Sequence, residues 1–518
     1  MSTARDGSRH GWAWLVAIVA VGAALRLYGI GADPFWLDEA HSANFTRLSF
    51  GELWSWSDPF DRGNPPGYIV LLKLWAQVSR SDAWLRTFSA LAGIATLPLV
   101  YLVGRRISSH RTGLVATAFL AFSGYHIRFS QEARTYALMG LVAAVVMLAV
   151  AQLITQPDGD EADRIRGGRP WRVREDGLGL RRPLAWTDLA WPAYTLFAGV
   201  AFLLHVTGLG MAVAANLTVL AWWLTRRPKP PRFARNWIVA NLGVLIIWLA
   251  WIPGFMDQLR TITADWWVPS PTLLSVAEGG ADLIAPSFGW DMPWNGETWG
   301  AVILVVVGLV LVGIGTRWLA LGHRVLIWTF LLTLPAIELA YSLRRPIFLT
   351  RTIIWLLIPL ALGLALAALR PRRWWPATTA LLLVVSLFGG IAYHATHTKT
   401  AWDEAVDLVA ATAGPEDLVL IQPANTVVAF NHYAEPLGLD ATVYGVPNRI
   451  PGREATGSTV VESDHRQVAV LAPNYEDVWL ILNRPPEDES LEPTLEPLAG
   501  EVERHRLDDL VVVRFQMP

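Results

Sequence analysis

Apolar residues run through this chain in blocks of bilayer length, separated by short polar stretches, as far as about residue 393. A span needs about 20 mainly apolar residues. About eleven stretches qualify: Trp12–Ile30, Ala83–Gly104, Thr112–Ile127, Thr135–Leu153, Thr187–His205, Thr207–Leu224, Trp237–Pro253, Thr298–Gly315, Val325–Leu343, Thr352–Leu369 and Trp374–Tyr393. One further run, Tyr68–Ala76, is about half that length and carries Lys73, so it suits a re-entrant or interfacial helix.

From His394 onward the apolar runs shorten and charged residues and Pro rise. Ala401–Ala413 reads as an amphipathic helix, with Trp402, Ala405, Val406, Leu408 and Val409 on its apolar side. Leu418–Gln422, Val468–Leu471, Val478–Asn483 and Leu510–Phe515 read as strands. The expected architecture is a polytopic α-helical membrane unit, residues 1–393, followed by a small α/β domain of ordinary domain size, residues 394–518. No internal repeat and no Gly-rich phosphate loop is visible.

Composition agrees with that division of the chain. Hydrophobic residues make up 53% of it and charged residues 17%, which excludes an ordinary soluble domain. A net charge of −2 gives no global field for nucleic acid. The absence of cysteine removes disulfides, thiolate catalysis and Cys-ligated metals together. Arg5 and Arg9 precede the first apolar run and no small-residue cleavage site follows it, which fits a retained first span.

Cytoplasmic loops should hold the Lys and Arg. With the N-terminus inside and Tyr68–Ala76 not spanning, the inner side receives Arg105, Arg106 and Arg111, the Arg-rich stretch 164–182, Arg226 to Arg235, Arg317 and Arg324, and Arg370 to Arg373. An odd number of spans then leaves the α/β domain outside a plasma or inner (cell) membrane. The exception to the rule is Arg344-Arg345-Pro346-Ile347-Phe348-Leu349-Thr350-Arg351, which falls outside. Binding an anionic group is a physical reason to keep cations there; a short loop that tolerates three Arg is the plainer one. Arg26, His205 and Glu338 lie near the outer ends of spans and suit a polar interior. Snorkelling accounts for Arg26 equally well, and an ordinary hydrogen-bonded ring for His205.

The longest outer connection near the start is the loop 31–82, and its stretch Gly31 to Tyr68 is too long to be a plain link. It holds adjacent carboxylates, Asp38 and Glu39, with His41 beside them, and closes on Asn64-Pro65-Pro66-Gly67. A second outer segment carries Ser130-Gln131-Glu132-Ala133-Arg134-Thr135-Tyr136, and a third, Gly254 to Glu297, carries Asp265, Trp266, Trp267, Trp290, Asp291 and Trp294. Those Trp serve equally as sugar platforms or interface anchors. Outside a cell there is no nucleotide supply, so phosphate recognised there is best sought on a lipid, and a polyprenyl-phosphate sugar fits. Asp38 is then the candidate general base for an acceptor hydroxyl. Arg residues or a divalent cation would stabilise the departing phosphate. Glu39 would orient the acceptor or share a metal with Asp38 and His41. Candidates for the donor phosphate or sugar are Arg134, Tyr136, Arg344, Arg345 and Arg351, with Arg86 and Lys73 completing the set; Arg134 is also placed to pair with Glu132 or an outer carboxylate.

At these residues the sequence resembles the C-type (GT-C) membrane glycosyltransferases, in the subgroup of bacterial relatives of dolichyl-phosphate-mannose protein mannosyltransferase and aminoarabinose transferase, glycosyltransferase family 39-like. The resemblance rests on Leu37-Asp38-Glu39-Ala40, Asn64-Pro65-Pro66-Gly67-Tyr68, Trp84-Leu85-Arg86, Gly104-Arg105-Arg106 and Ser130 to Tyr136. It covers the chain as far as the fourth span and touches the rest in layout only. It implies a first outer loop built from juxtamembrane helices, a carboxylate there as base or metal partner, and a polyprenyl- or dolichyl-phosphate sugar donor. It places Asp38 in the catalytic position, Glu39 next to it, and Arg134 and Tyr136 in a donor-phosphate or structural role. Two positions depart from the pattern: Asn64 stands where a His is common, and Gly124 where a Pro precedes His126. The expected function is transfer of a hexosyl or pentosyl group from a polyprenyl-phosphate carrier to an extracytoplasmic hydroxyl on protein, lipid or polysaccharide. A transporter or flippase of lipid-linked sugars is the alternative; charges at the outer rim rather than the bilayer midplane favour the enzyme. A non-catalytic assembly protein is a third reading.

Overall fold

The computed structural model describes residues 3–54, 64–155, 186–261, 268–286, 288, 292–293, 296–447, 460–483 and 490–518. The Arg-rich stretch 164–182 and Asp265, Trp266, Trp267, Trp290, Asp291 and Trp294 lie outside the described residues.

Among the described residues, seven helices are long and apolar enough to cross a membrane: Asp82–Ile107, Tyr136–Ile154, Val206–Thr225, Trp299–Thr316, Leu321–Ser342, Thr350–Ala368 and Trp375–Thr396. Gly11–Leu27, Leu189–Leu204 and Phe233–Trp248 are shorter apolar helices. Thr350–Ala368 is the hub, 94% buried, and it opens as a 3-10 helix, Thr350–Leu356, before the α-helix Leu357–Ala368. Trp299–Thr316 and Trp375–Thr396 are only 28% buried, so they form the perimeter that a bilayer would cover.

The run Thr112–Ile127 is not one helix. His110–Phe122 ends at Ser123, whose backbone turns to an extended conformation, and a short helix, Gly124–Ser130, starts behind it. The Ser123 hydroxyl accepts the His126 backbone N–H, so a polar cap interrupts a run that hydropathy alone reads as continuous. Gly124 permits the close approach of the passing helix Trp375–Thr396: a Cβ there would lie 2.1 Å from the Gly389 carbonyl oxygen. The apolar run at Tyr68 forms the helix Gly67–Trp75, nine residues long and too short to cross a membrane.

The first outer loop is helical at Leu37–Phe45 and Phe50–Trp54. Behind the last apolar helix comes the amphipathic helix Trp402–Ala410 and a five-stranded sheet of order β2-β1-β3-β5-β4. The strands are β1 (Leu418–Gln422), β2 (Thr442–Gly445), β3 (Asp477–Asn483), β4 (Glu501–Leu507) and β5 (Leu510–Gln516). β1 runs parallel to β2 and β3, whereas β5 pairs antiparallel with β3 and β4. The expected strand Val468–Leu471 is instead the last part of the helix Glu462–Leu471. Asp464 fixes its start by accepting the Val461 backbone N–H, and burial of Val468 with exposure of Val470 follows a helix that has one covered face.

Candidate active site

Asp38 and Glu39 occupy the first turn of Leu37–Phe45, where the helix dipole favours carboxylates. Neighbours on a helix point about 100° apart, so adjacent side chains serve different faces. Glu39 turns inward and is fully buried. Its Oε1 accepts from Arg86 Nε at 2.8 Å and from the Ala133 backbone N–H at 2.8 Å; its Oε2 accepts from Arg86 Nη2 at 2.8 Å and Lys399 Nζ at 2.7 Å. Burial pushes this carboxyl up, but the charges of Lys399 and Arg86 more than offset that and hold it down to about 2.

Arg86 is sealed in the same clasp. Besides Glu39 it donates to the carbonyls of Ile30, Asp33 and Pro34, and its guanidinium lies 4.8 Å from the Phe35 ring centre. All five N–H groups of a guanidinium are thereby used. The expectation that Arg86 holds donor phosphate is corrected here, since it has no donor left to offer. Lys73 is also engaged elsewhere: it donates to the Thr46 carbonyl at 2.9 Å and sits over Phe50, tying the helices of the loop together.

Asp38 turns the other way. Its Oδ2 lies 3.3 Å from Arg351 Nη1 and 3.6 Å from Arg134 Nη2. Arg134 also donates to the Asp38 carbonyl at 3.1 Å and to Ser42 Oγ at 3.2 Å, so it braces the helix turn as well as the carboxylate. Arg351, at the start of the buried hub helix, lies over the Trp36 ring. Tyr136 packs beneath Arg134, and its ring meets Phe129 and His205. Asp38, Arg134 with Tyr136, and Arg351 are thus brought together from three separate segments. Oδ2 is covered, and the 19% exposure of the Asp38 side chain is left to its other atoms.

Arg344 and Arg345 are not brought to Asp38. They form the turn after Leu321–Ser342, their backbone N–H groups bonded to the Tyr341 carbonyl, and Arg344 is exposed. His41 stacks on Phe45. Among the described residues, no three His, Asp or Glu side chains gather to hold a metal ion. The donor set agrees: both Glu39 oxygens are taken by Arg86 and Lys399, and the covered oxygen of Asp38 already faces two guanidiniums.

Several partners carry no local sequence signal. Lys399 reaches Glu39 across 360 residues of chain. His432 Nε2 and the Tyr433 hydroxyl meet Asp82 at 2.9 and 2.6 Å, and the Phe35 backbone N–H donates to Tyr433 Oη at 2.6 Å, so the sheet domain grips the loop just ahead of Asp38. Arg47 pairs with Glu435 in the same contact. Arg128 pairs with Glu132, and Arg134 faces the outer carboxylate Asp38, the other partner expected for it. Arg26 does not snorkel: it is fully buried, donating to the carbonyls of Gly22, Leu120 and Ala121 and meeting His126 Nδ1 at 2.9 Å. Glu338 accepts from the Thr352 hydroxyl at 2.8 Å, next to Arg351 in sequence.

No protein-family model and no curated protein sequence matches the chain. Solved structures do. ArnT from Cupriavidus metallidurans in the apo state superposes with a TM-score of 0.60 at 14% identity, covering 97% of this chain and 98% of that one. The same protein bound to undecaprenyl phosphate gives 0.57 at 13% identity, with the same coverage. The archaeal oligosaccharyltransferase AglB from Archaeoglobus fulgidus, in complex with an inhibitory peptide and a dolichol-phosphate, gives 0.57 at 12% identity over 98% of this chain and 74% of its own. The chain therefore shares the fold of ArnT and AglB along almost its whole length.

Proposed function

We propose that this chain is a multi-pass membrane glycosyltransferase that moves a sugar from a polyprenyl-phosphate carrier to an acceptor hydroxyl on the extracytoplasmic side. The observation that carries the reading is the single carboxylate of Asp38 set against the guanidiniums of Arg134 and Arg351. Two cations beside one candidate base are what displacement of a phosphate requires. The acceptor O–H gives its proton to Asp38 as its oxygen attacks the anomeric carbon, and the bond from that carbon to the phosphate oxygen breaks. The leaving phosphate keeps the electron pair, and Arg134 and Arg351 meet the charge it gains. One in-line displacement inverts the anomeric configuration. Neighbours of the same fold support the carrier class, since ArnT is bound to undecaprenyl phosphate and AglB to a dolichol-phosphate.

The test is transfer of radiolabelled sugar from a panel of polyprenyl-phosphate sugars by the purified protein, comparing wild type with Asp38→Asn, each with and without chelator. One donor consumed by wild type, and bound but not consumed by Asp38→Asn, supports the reading and names the sugar; the chelator arms decide whether a divalent cation takes part. Equal turnover by both proteins, or labelled lipid crossing a vesicle membrane equally well with both while no donor is consumed, overturns it.

A further inference from the structure

His205 lies between the helices Trp186–Leu204 and Leu209–Thr225 and begins a 3-10 turn, Val206–Gly208. The Thr207 backbone N–H donates to His205 Nδ1 at 3.2 Å, and Thr207 Oγ1 lies 2.8 Å from the same nitrogen. A backbone N–H can only donate, so Nδ1 carries the lone pair and the neutral ring keeps its proton on Nε2. The ring is buried, 6.3 Å from that of Tyr136, on the side of the site where Arg134 and Arg351 stand. With Nδ1 accepting the Thr207 N–H, the neutral ring adds a hydrogen-bond donor to the site without adding charge. Nε2 has no hydrogen-bond partner among the described residues. The wall beside it is tight: at Gly67, which closes the Asn64-Pro65-Pro66-Gly67 turn, a Cβ would sit 2.3 Å from the Leu203 carbonyl oxygen. Nε2 is not among the fully covered atoms although the ring is buried, so this donor is open to a ligand beside the proposed phosphate site.

We infer that His205 is a substrate-binding residue that donates from Nε2–H to an oxygen of the lipid-linked donor, a phosphate oxygen or a sugar hydroxyl. This rests on the glycosyltransferase reading above. His205 is then a fixed neutral donor beside two cations, and Thr207 sets its tautomer.

The experiment measures binding to the full-length protein in lipid nanodiscs, using undecaprenyl phosphate and the glycosylated donor that wild type consumes. His205→Asn keeps an acceptor in place of Nδ1 for the Thr207 N–H but removes the Nε2 donor; His205→Gln places an amide N–H near the Nε2 position. We expect His205→Asn to melt with wild type and bind about tenfold more weakly, the loss of roughly one neutral hydrogen bond, with His205→Gln between the two. Weaker binding of both lipids assigns the contact to phosphate; weaker binding of the glycosylated lipid alone assigns it to the sugar. Unchanged affinity for both lipids in His205→Asn overturns the inference while leaving the transferase reading intact, and should that variant not fold, wild-type affinity for both lipids in His205→Leu, which has no donor, does the same. Failure of wild type to bind either lipid overturns both readings.

Discussion

Lys399 Nζ stands 2.7 Å from Glu39 Oε2, joining the connector behind the last apolar helix to the helix that carries Asp38. The contact gives the adjacent carboxylates separate duties. Glu39 holds the loop in place through Arg86, Lys399 and the Ala133 N–H, and Asp38 is left to Arg134 and Arg351.

Lys399→Met should therefore lower stability and turnover together while sparing donor affinity. Removing one partner of a buried pair leaves the other charge uncompensated, which costs about 3–5 kcal/mol; Arg86 still pairs with Glu39, so the lower end is expected. Thermal unfolding should show the loss, and in the transfer assay kcat should fall with little change in donor Kd. A weakened donor Kd with unchanged kcat would place Lys399 in the phosphate site instead.

Acid should act through Glu39. Its folded carboxyl is held down to about 2, below the ordinary value of about 4.3 for an unfolded chain. A depressed folded value contributes stability that is present above the unfolded pKa and lost as pH falls through the folded one, so the window is from about pH 4.5 down to about 2, and the amount is on the order of 3 kcal/mol. Melting temperatures between pH 7 and pH 2.5 should drop in that window for wild type. Glu39→Gln should start lower and show a shallower drop; a parallel drop in both would assign the acid sensitivity to other groups.

Much of the fold could be read in the sequence because bilayer spans and amphipathic helices are local patterns. The span at Thr112–Ile127 misled because one Ser cap and one Gly contact outweigh an apolar average, and Val468–Leu471 misled because four apolar residues carry too little periodicity to tell a strand from the end of a helix. Candidate residues could be singled out where they cluster along the chain, as at Asp38 and Arg134. The site was not legible at Lys399, His432 and Tyr433, whose partners are set by docking over hundreds of residues. Arg86 was noticed but placed in the wrong role, since only the three-dimensional structure shows that its five donors are spent.

The outer Arg residues should separate by position. Arg351→Gln removes a guanidinium 3.3 Å from Asp38 and should weaken undecaprenyl phosphate binding at least tenfold, as expected for a charge-assisted contact. Arg344→Gln and Arg345→Gln lie in the turn away from Asp38 and should bind as wild type does. Titration of the lipid against the three variants decides it; a loss at Arg344 or Arg345 matching that at Arg351 would bring the whole cluster into the phosphate site.

Tyr433→Phe tests what the sheet domain does for the reaction. The Tyr433 hydroxyl donates to Asp82 Oδ2 and accepts the Phe35 backbone N–H, both at 2.6 Å, while His432 Nε2 holds Asp82 Oδ1. Phe35 is the third residue before Asp38, so the hydroxyl fixes the entry to the helix that carries Asp38 from the far end of the chain. Losing it leaves the Phe35 N–H without its acceptor, at a cost of about 1–3 kcal/mol. His432 and the Arg47–Glu435 pair keep the domain docked, so the expected result is a modest drop in melting temperature with a several-fold fall in kcat. Saturation kinetics with the acceptor separate the alternatives. If the sheet domain positions Asp38, kcat falls and the acceptor KM holds; if it serves only to recognise the acceptor, KM rises and kcat holds.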